Sequence, residues 1–253
     1  MDGQGRPEAG LSRRMLGVAA VAVTAGALIP GTALAATVSL SGWRLTLPVN
    51  SSGQPTGNAA VTLNPAVVRS PWLVRNSDGS LTFWAPTHGA TTTNSKHART
   101  ELVSNSDFTA GSGSHTLSAT LKVQQLPSAH DIIIGQIHCS GSKSSIPLLM
   151  LHYNNGTISV VVRTNPTVPG TDSATVLTGV PLNATFSYTI TANGSSFVTS
   201  ASYNGRSGSK TITMNSSFKG FPVRWQAGDY QQSDVSTTDT GGGRMTITAL
   251  SKS

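Results

Sequence analysis

Three stretches of this sequence carry polar side chains at every second position, the spacing that puts side chains on one face of a β-strand. The stretches are residues 97–102, 131–138 and 221–232. If the three strands lie side by side, their polar faces combine into one surface that can bind a ligand and act on it. The residues that would share this surface are Arg99 and Glu101 in the first stretch, Gln136 and His138 in the second, and Arg224, Gln226, Gly228, Tyr230 and Gln232 in the third.

The middle stretch indicates how such a surface would be supported. Its alternation puts Gln136 and His138 on one face and Ile133 and Ile137 on the other. An apolar run that carries polar side chains at alternate positions is typical of a strand with one face in a core. We therefore expect the polar face to line a cleft.

Arginine, glutamine, histidine and tyrosine together suit β-elimination on a uronic acid. The C5 proton is α to a carboxylate, so negative charge builds on that carboxylate as the proton leaves. Arg99 can neutralise the charge with its guanidinium, and Gln136 can add a neutral hydrogen bond. A neutral His138 or a deprotonated Tyr230 can accept the proton, and Tyr230 as a phenol can donate one to the departing O4. A neighbouring cation, Arg99 or Arg224, would favour the phenolate.

Other catalytic chemistries find little support in the sequence. After residue 35, Glu101 is the only glutamate, whereas most glycosidases need two carboxylates that flank the scissile bond. The six histidines have no metal-binding spacing, and there is no Gly-x-Ser-x-Gly motif or nucleotide-binding loop. We therefore expect neither a metal nor a cofactor. The single cysteine, Cys139, cannot form an internal disulfide, and we interpret it as a buried apolar residue.

Residues 1–35 have the pattern of a bacterial export signal. A twin-arginine pair at 13–14 precedes an apolar alanine-rich run, and Ala33-Leu34-Ala35 is a cleavage signal. We expect cleavage after Ala35, a secreted protein without membrane attachment, and a single domain at 36–253. The formal net charge of +7 favours an acidic polymer as the partner. The basic residues are scattered rather than clustered, so we expect no nucleic-acid partner.

The sequence after the leader predicts an all-β fold. Short apolar runs are separated by Asn-Gly pairs at 155–156, 193–194 and 204–205, which indicate hairpins. No run of ten or more residues has a helical period there. This pattern favours a sandwich or barrel, and we expect two antiparallel sheets with a groove over the outer face of one of them.

The three polar stretches, in their order and spacing, resemble the three motifs of polysaccharide lyase family 7, the alginate lyases. Residues 43–48 and 89–92 also look like that family, and the resemblance runs from about residue 43 to 250. The stretches that carry it are His97-Ala98-Arg99-Thr100-Glu101-Leu102, Gln136-Ile137-His138 and Trp225-Gln226-Ala227-Gly228-Asp229-Tyr230-Gln231-Gln232.

The resemblance implies a jelly-roll β-sandwich with a cleft over one concave sheet and endolytic, metal-free cleavage of alginate. We expect the protein to be a monomer. In this family's terms, Arg99 and Gln136 would neutralise the substrate carboxylate. His138 would be the base for guluronate, and Tyr230 would be the acid. For mannuronate, Tyr230 would take both roles. Ile137 is associated in this family with guluronate-containing substrate. The substrate-binding residues would be Glu101, Arg224, Gln226 and Gln232.

Two motifs depart from the family pattern. Val103 stands where a second arginine is usual, and Gln226 stands where a lysine is usual. Each departure removes a positive contact beside the cleft. Another polyuronate, such as glucuronan, is therefore an alternative substrate. A non-catalytic lectin-like module that binds acidic glycans is the other alternative.

Overall fold

The computed structural model describes residues 37–253, so the predicted export signal and its cleavage site lie outside the described residues. The described residues belong to one compact unit. They form sixteen β-strands and two short 3₁₀ helices, Gly141–Lys143 and Ser216–Phe218. The strands are β1 (Trp43–Thr46), β2 (Thr62–Leu63), β3 (Leu73–Arg75), β4 (Leu81–Pro86), β5 (Arg99–Ser104), β6 (Phe108–Thr109), β7 (Ser114–Gln125), β8 (Asp131–Cys139), β9 (Pro147–Asn154), β10 (Thr157–Arg163), β11 (Thr171–Leu177), β12 (Thr185–Asn193), β13 (Ser196–Tyr203), β14 (Arg206–Thr213), β15 (Pro222–Gln231) and β16 (Gly242–Lys252).

The strands form two antiparallel sheets, which confirms the predicted all-β sandwich. One sheet has the order β11-β10-β9-β8-β15-β5-β1-β2, with β6 paired to β15. The other has the order β14-β13-β12-β7-β16-β4-β3. We call the first the cleft sheet and the second the back sheet. Strands that are neighbours in the cleft sheet, such as β8, β15 and β5, are far apart in sequence, so long-range pairing builds its centre.

The core lies between the two sheets and follows from strict alternation along the strands. In β7, Leu117, Ala119, Leu121 and Val123 are buried, while the residues between them are partly exposed. Burial of such apolar side chains is the main favourable contribution to folding. The largest fully buried side chains are Trp225, Tyr153, Tyr188, Phe83, Phe186 and Phe218.

Two hairpins have the turn chemistry that the sequence predicts. Asn155-Gly156 joins β9 to β10, and Asn204-Gly205 joins β13 to β14. All four residues have positive φ, as a two-residue type I′ turn requires. Asparagine and glycine tolerate that conformation better than other residues, so these pairs set the register of their hairpins.

Some strands are not indicated by the sequence pattern. The short strands β2, β3 and β6 have too few residues for a visible alternation, and β11 is mostly exposed and polar. Their positions depend on pairing with neighbours rather than on an apolar face of their own. Within residues 37–253, no helix is both long enough and apolar enough to cross a membrane.

Candidate active site

The strand β15 organises the site because it lies between β5 and β8. Its register sets Tyr230 opposite Arg99 on β5, and it sets Arg224 opposite His138 on β8. Gln226 is opposite Gln136 on β8. Neighbouring residues in adjacent strands that share a face lie within side-chain reach. The three polar stretches of the sequence therefore meet on one face.

A bulge in β8 changes which residues face the cleft. The pairing of β8 with β9 shifts register between Ile133 and Gly135. As a result Ile134 enters the core, whereas Ile133 lines the cleft beside Tyr230. The prediction that Ile133 shares the apolar face of Ile137 is therefore wrong. One extra residue in a bulged strand moves every following side chain to the other face.

Glycine is required at the matching irregularity in β15. Gly228 has φ +146°, and a Cβ there would lie 2.6 Å from the carbonyl oxygen of Thr100. The pairing of β15 with β8 shifts register between Ala227 and Tyr230, just where this glycine lies. No other residue fits this close approach to β5 without displacing the backbone, so Gly228 supports the placement of Tyr230.

The back sheet holds these irregular segments in place through buried polar contacts. The Tyr188 hydroxyl of β12 donates to the carbonyl oxygen of Ile134 at 2.9 Å. Asp229 Oδ2 accepts from the backbone N–H of Ala85 on β4 at 3.1 Å. Burial raises the pKa of Asp229 well above its usual range, opposed by the hydrogen bond from Ala85. These two contacts tie β8 and β15 to the back sheet beside their irregular segments.

The site is a cleft of about 440 Å³ over the cleft sheet. A loop at 92–95 and the segment 144–147 border it. Every side chain that the sequence predicts for the site lines this cleft. These are Arg99, Glu101, Gln136, His138, Arg224, Gln226, Tyr230 and Gln232.

Arg99 and Tyr230 form the best-defined pair in the cleft. The Arg99 guanidinium carbon lies 3.5 Å from the centroid of the Tyr230 ring. The Tyr230 hydroxyl shares a hydrogen bond of 2.9 Å with Ser95 Oγ. Ser95 also accepts from the backbone N–H of His97 and donates to the His97 carbonyl oxygen. The phenol is thus oriented by a cation over its ring and by a hydroxyl at its tip.

His138 is positioned as a neutral base. Its Nδ1 lies 3.0 Å from the carbonyl oxygen of Cys139. A carbonyl oxygen only accepts, so Nδ1 carries the proton and Nε2 keeps its lone pair. Burial, opposed by the Cys139 hydrogen bond and assisted by the positive charges of Arg99 and Arg224, lowers the pKa of His138 to about 4. The imidazole is therefore unprotonated at neutral pH.

A buried polar network lies at the floor of the cleft. Glu101 is fully buried; its Oε2 accepts from Arg99 Nη1 at 3.2 Å, and its Oε1 accepts from Gln136 Nε2 at 2.5 Å. Gln136 Nε2 also donates to Gln226 Oε1 at 3.0 Å. Glu101 thus joins the two residues predicted to neutralise a substrate carboxylate, and burial raises its pKa although Arg99 opposes the shift.

Two arginines lie at the end of the cleft near His138. Arg224 and Arg44 both line it, and the Nε atom of each is buried without a hydrogen-bond partner among the described residues. Arg44 was not among the predicted site residues. It reaches the cleft because β1 pairs with β5, where Arg44 is opposite Val103. At the other end Gln232 donates to the carbonyl oxygen of Tyr230 at 3.0 Å.

Cys139 lies on the opposite side of its strand from His138. Its side chain is buried in the core, and burial raises the pKa of its thiol to about 11. It thus packs as a small apolar residue. In the described part of the chain, no cluster of three or more His, Cys, Asp or Glu side chains is arranged to hold a metal ion.

The arrangement provides the groups that proton abstraction next to a carboxylate needs. A guanidinium, an unprotonated imidazole nitrogen and a phenol line one cleft. Donors beside a developing negative charge stabilise the transition state, and a base with a free lone pair can take the proton. The cleft can therefore perform acid–base chemistry on an anionic ligand.

Comparisons with known proteins agree with this chemistry. A sequence model of the family described as alginate lyase matches residues 38–253. No curated protein matches the chain. The crystal structure of an alginate lyase from Pseudomonas aeruginosa has a TM-score of 0.71 and 32% identity, over 85% of this chain and 99% of that chain. A family 7 alginate lyase, A1-II′, in complex with product has a TM-score of 0.71 and 27% identity, over 86% of this chain and 96% of that chain.

A third structure extends the likeness of fold. The alginate lyase from Klebsiella pneumoniae has a TM-score of 0.72 and 20% identity, over 87% of this chain and 98% of that chain. The two sheets match the jelly roll of these enzymes, and the family match covers almost all described residues. The chain therefore belongs to the alginate lyase family, polysaccharide lyase family 7, and is a polysaccharide lyase.

Proposed function

We propose that this lyase cleaves the 4-O-glycosidic bonds of alginate by β-elimination, acting within the polymer and favouring guluronate-containing blocks. The observation that carries the proposal is the meeting of three groups in one cleft: the Arg99 guanidinium, the unprotonated Nε2 of His138 and the Tyr230 hydroxyl. Each is the kind of group that one part of the elimination needs.

The proposed step begins with the uronate carboxylate beside Arg99 and Gln136. Nε2 of His138 takes the C5 proton, the C4–O4 bond breaks, and a C4=C5 double bond forms. Tyr230 donates its proton to O4 as the bond breaks. Arg99 stabilises the charge that develops on the carboxylate. On mannuronate, where proton and leaving group lie on the same side, Tyr230 would take both roles.

The shape of the cleft supports action within a polymer. Arg44 and Arg224 border both the main cleft and a neighbouring depression that includes Asn105 and Asp107. The polar surface therefore continues beyond the reacting residues, so a chain of several uronates can lie across it. The arginines give this surface positive charge, which suits successive carboxylates.

The proposed preference for guluronate draws on the family resemblance and on a related enzyme. The enzyme A1-II′ has been crystallised with a product written GGG and with a substrate written GGMG. Ile137, which the family resemblance links to guluronate, packs in the core rather than in the cleft. Ile137 would therefore influence the substrate preference indirectly, through the placement of its neighbours Gln136 and His138. We also propose that the enzyme works as an exported monomer.

Ultraviolet absorbance tests the proposal, because elimination creates a conjugated double bond and hydrolysis does not. Residues 36–253 would be incubated with polyguluronate, polymannuronate and glucuronan in parallel. We expect the fastest rise on polyguluronate, with a loss of at least about a hundredfold in Tyr230→Phe. Tyr203→Phe, on the back sheet, is the matched control. A rise on glucuronan alone would mean that glucuronan, not alginate, is the substrate. Binding without any rise in absorbance would favour a lectin-like module.

A further inference from the structure

The amide of Gln136 lies at the floor of the cleft, with its nitrogen and its oxygen in different surroundings. Its Nε2 lies 2.5 Å from Glu101 Oε1 and 3.0 Å from Gln226 Oε1, so both amide hydrogens are directed to those oxygens. Its Oε1 is buried without a hydrogen-bond partner among the described residues. An unpaired buried acceptor is costly, and it would repel a carboxylate. This orientation is therefore poorly suited to the step that Gln136 has to assist.

The short contact with Glu101 points to a different distribution of protons. A distance of 2.5 Å is below the usual range of about 2.7–3.2 Å for an N–H···O bond, and it fits a hydroxyl donor. The oxygen and nitrogen of a glutamine amide exchange positions by a half-turn of the group. After that turn the oxygen faces Glu101, and the contact needs a proton on Glu101.

We propose that Glu101 is a neutral carboxylic acid that donates to Oε1 of Gln136 and so directs the Gln136 amide nitrogen to the carboxylate of a bound uronate. Glu101 is then a positioning residue for the elimination, and this role rests on the proposed function. Gln226 makes the matching half-turn and donates its own Nε2 to the same oxygen. In this arrangement Glu101 and Gln226 both donate to Oε1 of Gln136, and Nε2 of Gln136 donates to the substrate carboxylate.

The surroundings of Glu101 favour its neutral form, because burial outweighs the one positive charge beside it. The groups that face it are Arg99 on its own strand, Gln136 on β8, Thr46 on β1, and Asp229 on β15, with Tyr188 beneath it on the back sheet. Arg99 is the only cation in that set. Desolvation opposes ionisation more strongly than Arg99 assists it, so the pKa of Glu101 is raised.

A neutral Glu101 also leaves the charge of Arg99 available. An ionised Glu101 would pair with Arg99 and leave the floor of the cleft without net charge. With Glu101 protonated, the Arg99 guanidinium carries a full positive charge toward the cleft. A uronate carboxylate then becomes the counterion of Arg99, and the pairing is made only when substrate is bound.

The composition of the chain allows a direct test. The sequence contains only two glutamates, Glu8 and Glu101, and the mature chain from residue 36 retains only Glu101. Protein grown with glutamate labelled with carbon-13 at the side-chain carboxyl gives one resonance per glutamate, and Glu101→Gln assigns it. We expect the Glu101 resonance to stay at the protonated position through neutral pH. A Glu101 carboxylate that is ionised at neutral pH would overturn the proposal.

Kinetics test the positioning role separately. In Glu101→Gln the new amide can still donate to Oε1 of Gln136, so this variant should lose less of kcat/KM than Glu101→Leu, which has no donor. The fall of kcat/KM at alkaline pH that follows ionisation of Glu101 should move to higher pH in this variant. Identical alkaline limbs in the two proteins would contradict the role. Glu101→Leu removes the donor and should lower kcat by about a hundredfold or more.

The two proposals can fail independently. If no polyuronate is cleaved, the proposed function fails, while the carbon-13 titration still reports the protonation of Glu101. If elimination is observed but Glu101 is ionised at neutral pH, the function stands and the positioning role fails. Should Glu101→Leu not fold, the carbon-13 titration and Glu101→Gln still decide the matter.

Discussion

The guanidinium carbon of Arg99 lies 3.5 Å from the centroid of the Tyr230 ring, across the pairing of β5 with β15. A cation over an aromatic face is attracted by the ring and holds it in one orientation. The same guanidinium contacts Glu101. Arg99, the residue proposed to bind the substrate carboxylate, therefore contacts both the proposed acid Tyr230 and the buried Glu101.

Replacement of Arg99 by lysine should remove most of the activity. Lysine keeps the charge but loses the planar fork and the flat stacking surface. We expect kcat/KM to fall at least about a hundredfold with little change in the melting temperature. The measurement is initial ultraviolet absorbance, with Arg75→Lys on the back sheet as control. Full activity in Arg99→Lys would mean that charge alone is enough.

Ser95 should contribute to the rate through the Tyr230 hydroxyl. Ser95→Ala removes the 2.9 Å hydrogen bond at the tip of the phenol, and we expect a drop in kcat of about three- to tenfold. The effect should vanish in a Tyr230→Phe background, because the shared partner is then absent. Ser118→Ala, which loses a similar hydroxyl contact on the back sheet, is the control. Additive losses in the double variant would argue against coupling.

The low pKa of His138 predicts that the enzyme stays active at mildly acidic pH. Burial lowers the pKa of His138 from 6.5 to about 4, so the free enzyme should keep its base down to roughly pH 5. We expect the acid limb of kcat/KM to fall with an apparent pKa of about 4. An acid limb with a pKa near 6.5 would show that His138 is exposed to water during catalysis.

The same group predicts how stability changes with pH. A histidine with a depressed pKa stabilises the folded state fully above pH 6.5, and this stabilisation is lost as pH falls toward 4. His138→Gln should therefore flatten the decline of the unfolding free energy between those pH values. Denaturant unfolding at several pH values measures it, and parallel curves for the two proteins would contradict the assignment.

Asp229 should contribute to the stability of the fold through its hydrogen bond with the Ala85 N–H. Asp229→Asn keeps an acceptor for the Ala85 N–H and should change the unfolding free energy at neutral pH by less than about 1 kcal/mol. Asp229→Ala leaves that N–H unpaired and should cost about 2–4 kcal/mol. Because its pKa is raised in the folded state, Asp229 stabilises fully below pH 3.8 and less as pH rises. The asparagine variant should lose that part of the pH dependence.

Cys139 should be dispensable for catalysis. Its thiol is buried and its pKa is raised to about 11, so little thiolate is available. Cys139→Ala should keep kcat within about threefold and reduce stability by about 1 kcal/mol. A thiol reagent that inactivates the folded enzyme faster than it unfolds would contradict this view.

Much of the fold could be predicted because it depends on local patterns. The alternation in β7 and the Asn-Gly turns at 155–156 and 204–205 each specify their element without help from distant residues. The strand β11 could not be predicted in this way, because its exposed polar residues obtain their conformation from pairing with β10. The export signal lies outside the described residues and stays a prediction.

The sequence by itself determined which side chains are available and that Arg99, Gln136, His138 and Tyr230 each fall on the polar face of their own strand. Local periodicity carries that information, since side chains alternate wherever a strand forms. Only the tertiary structure decided that Ile133 faces the cleft, that Arg44 joins it, and that Glu101 lies buried between Arg99 and Gln136. Bulges, the order of strands and burial depend on contacts between residues that are distant in the chain, and the same burial lowers the pKa of His138 and raises the pKa of Glu101.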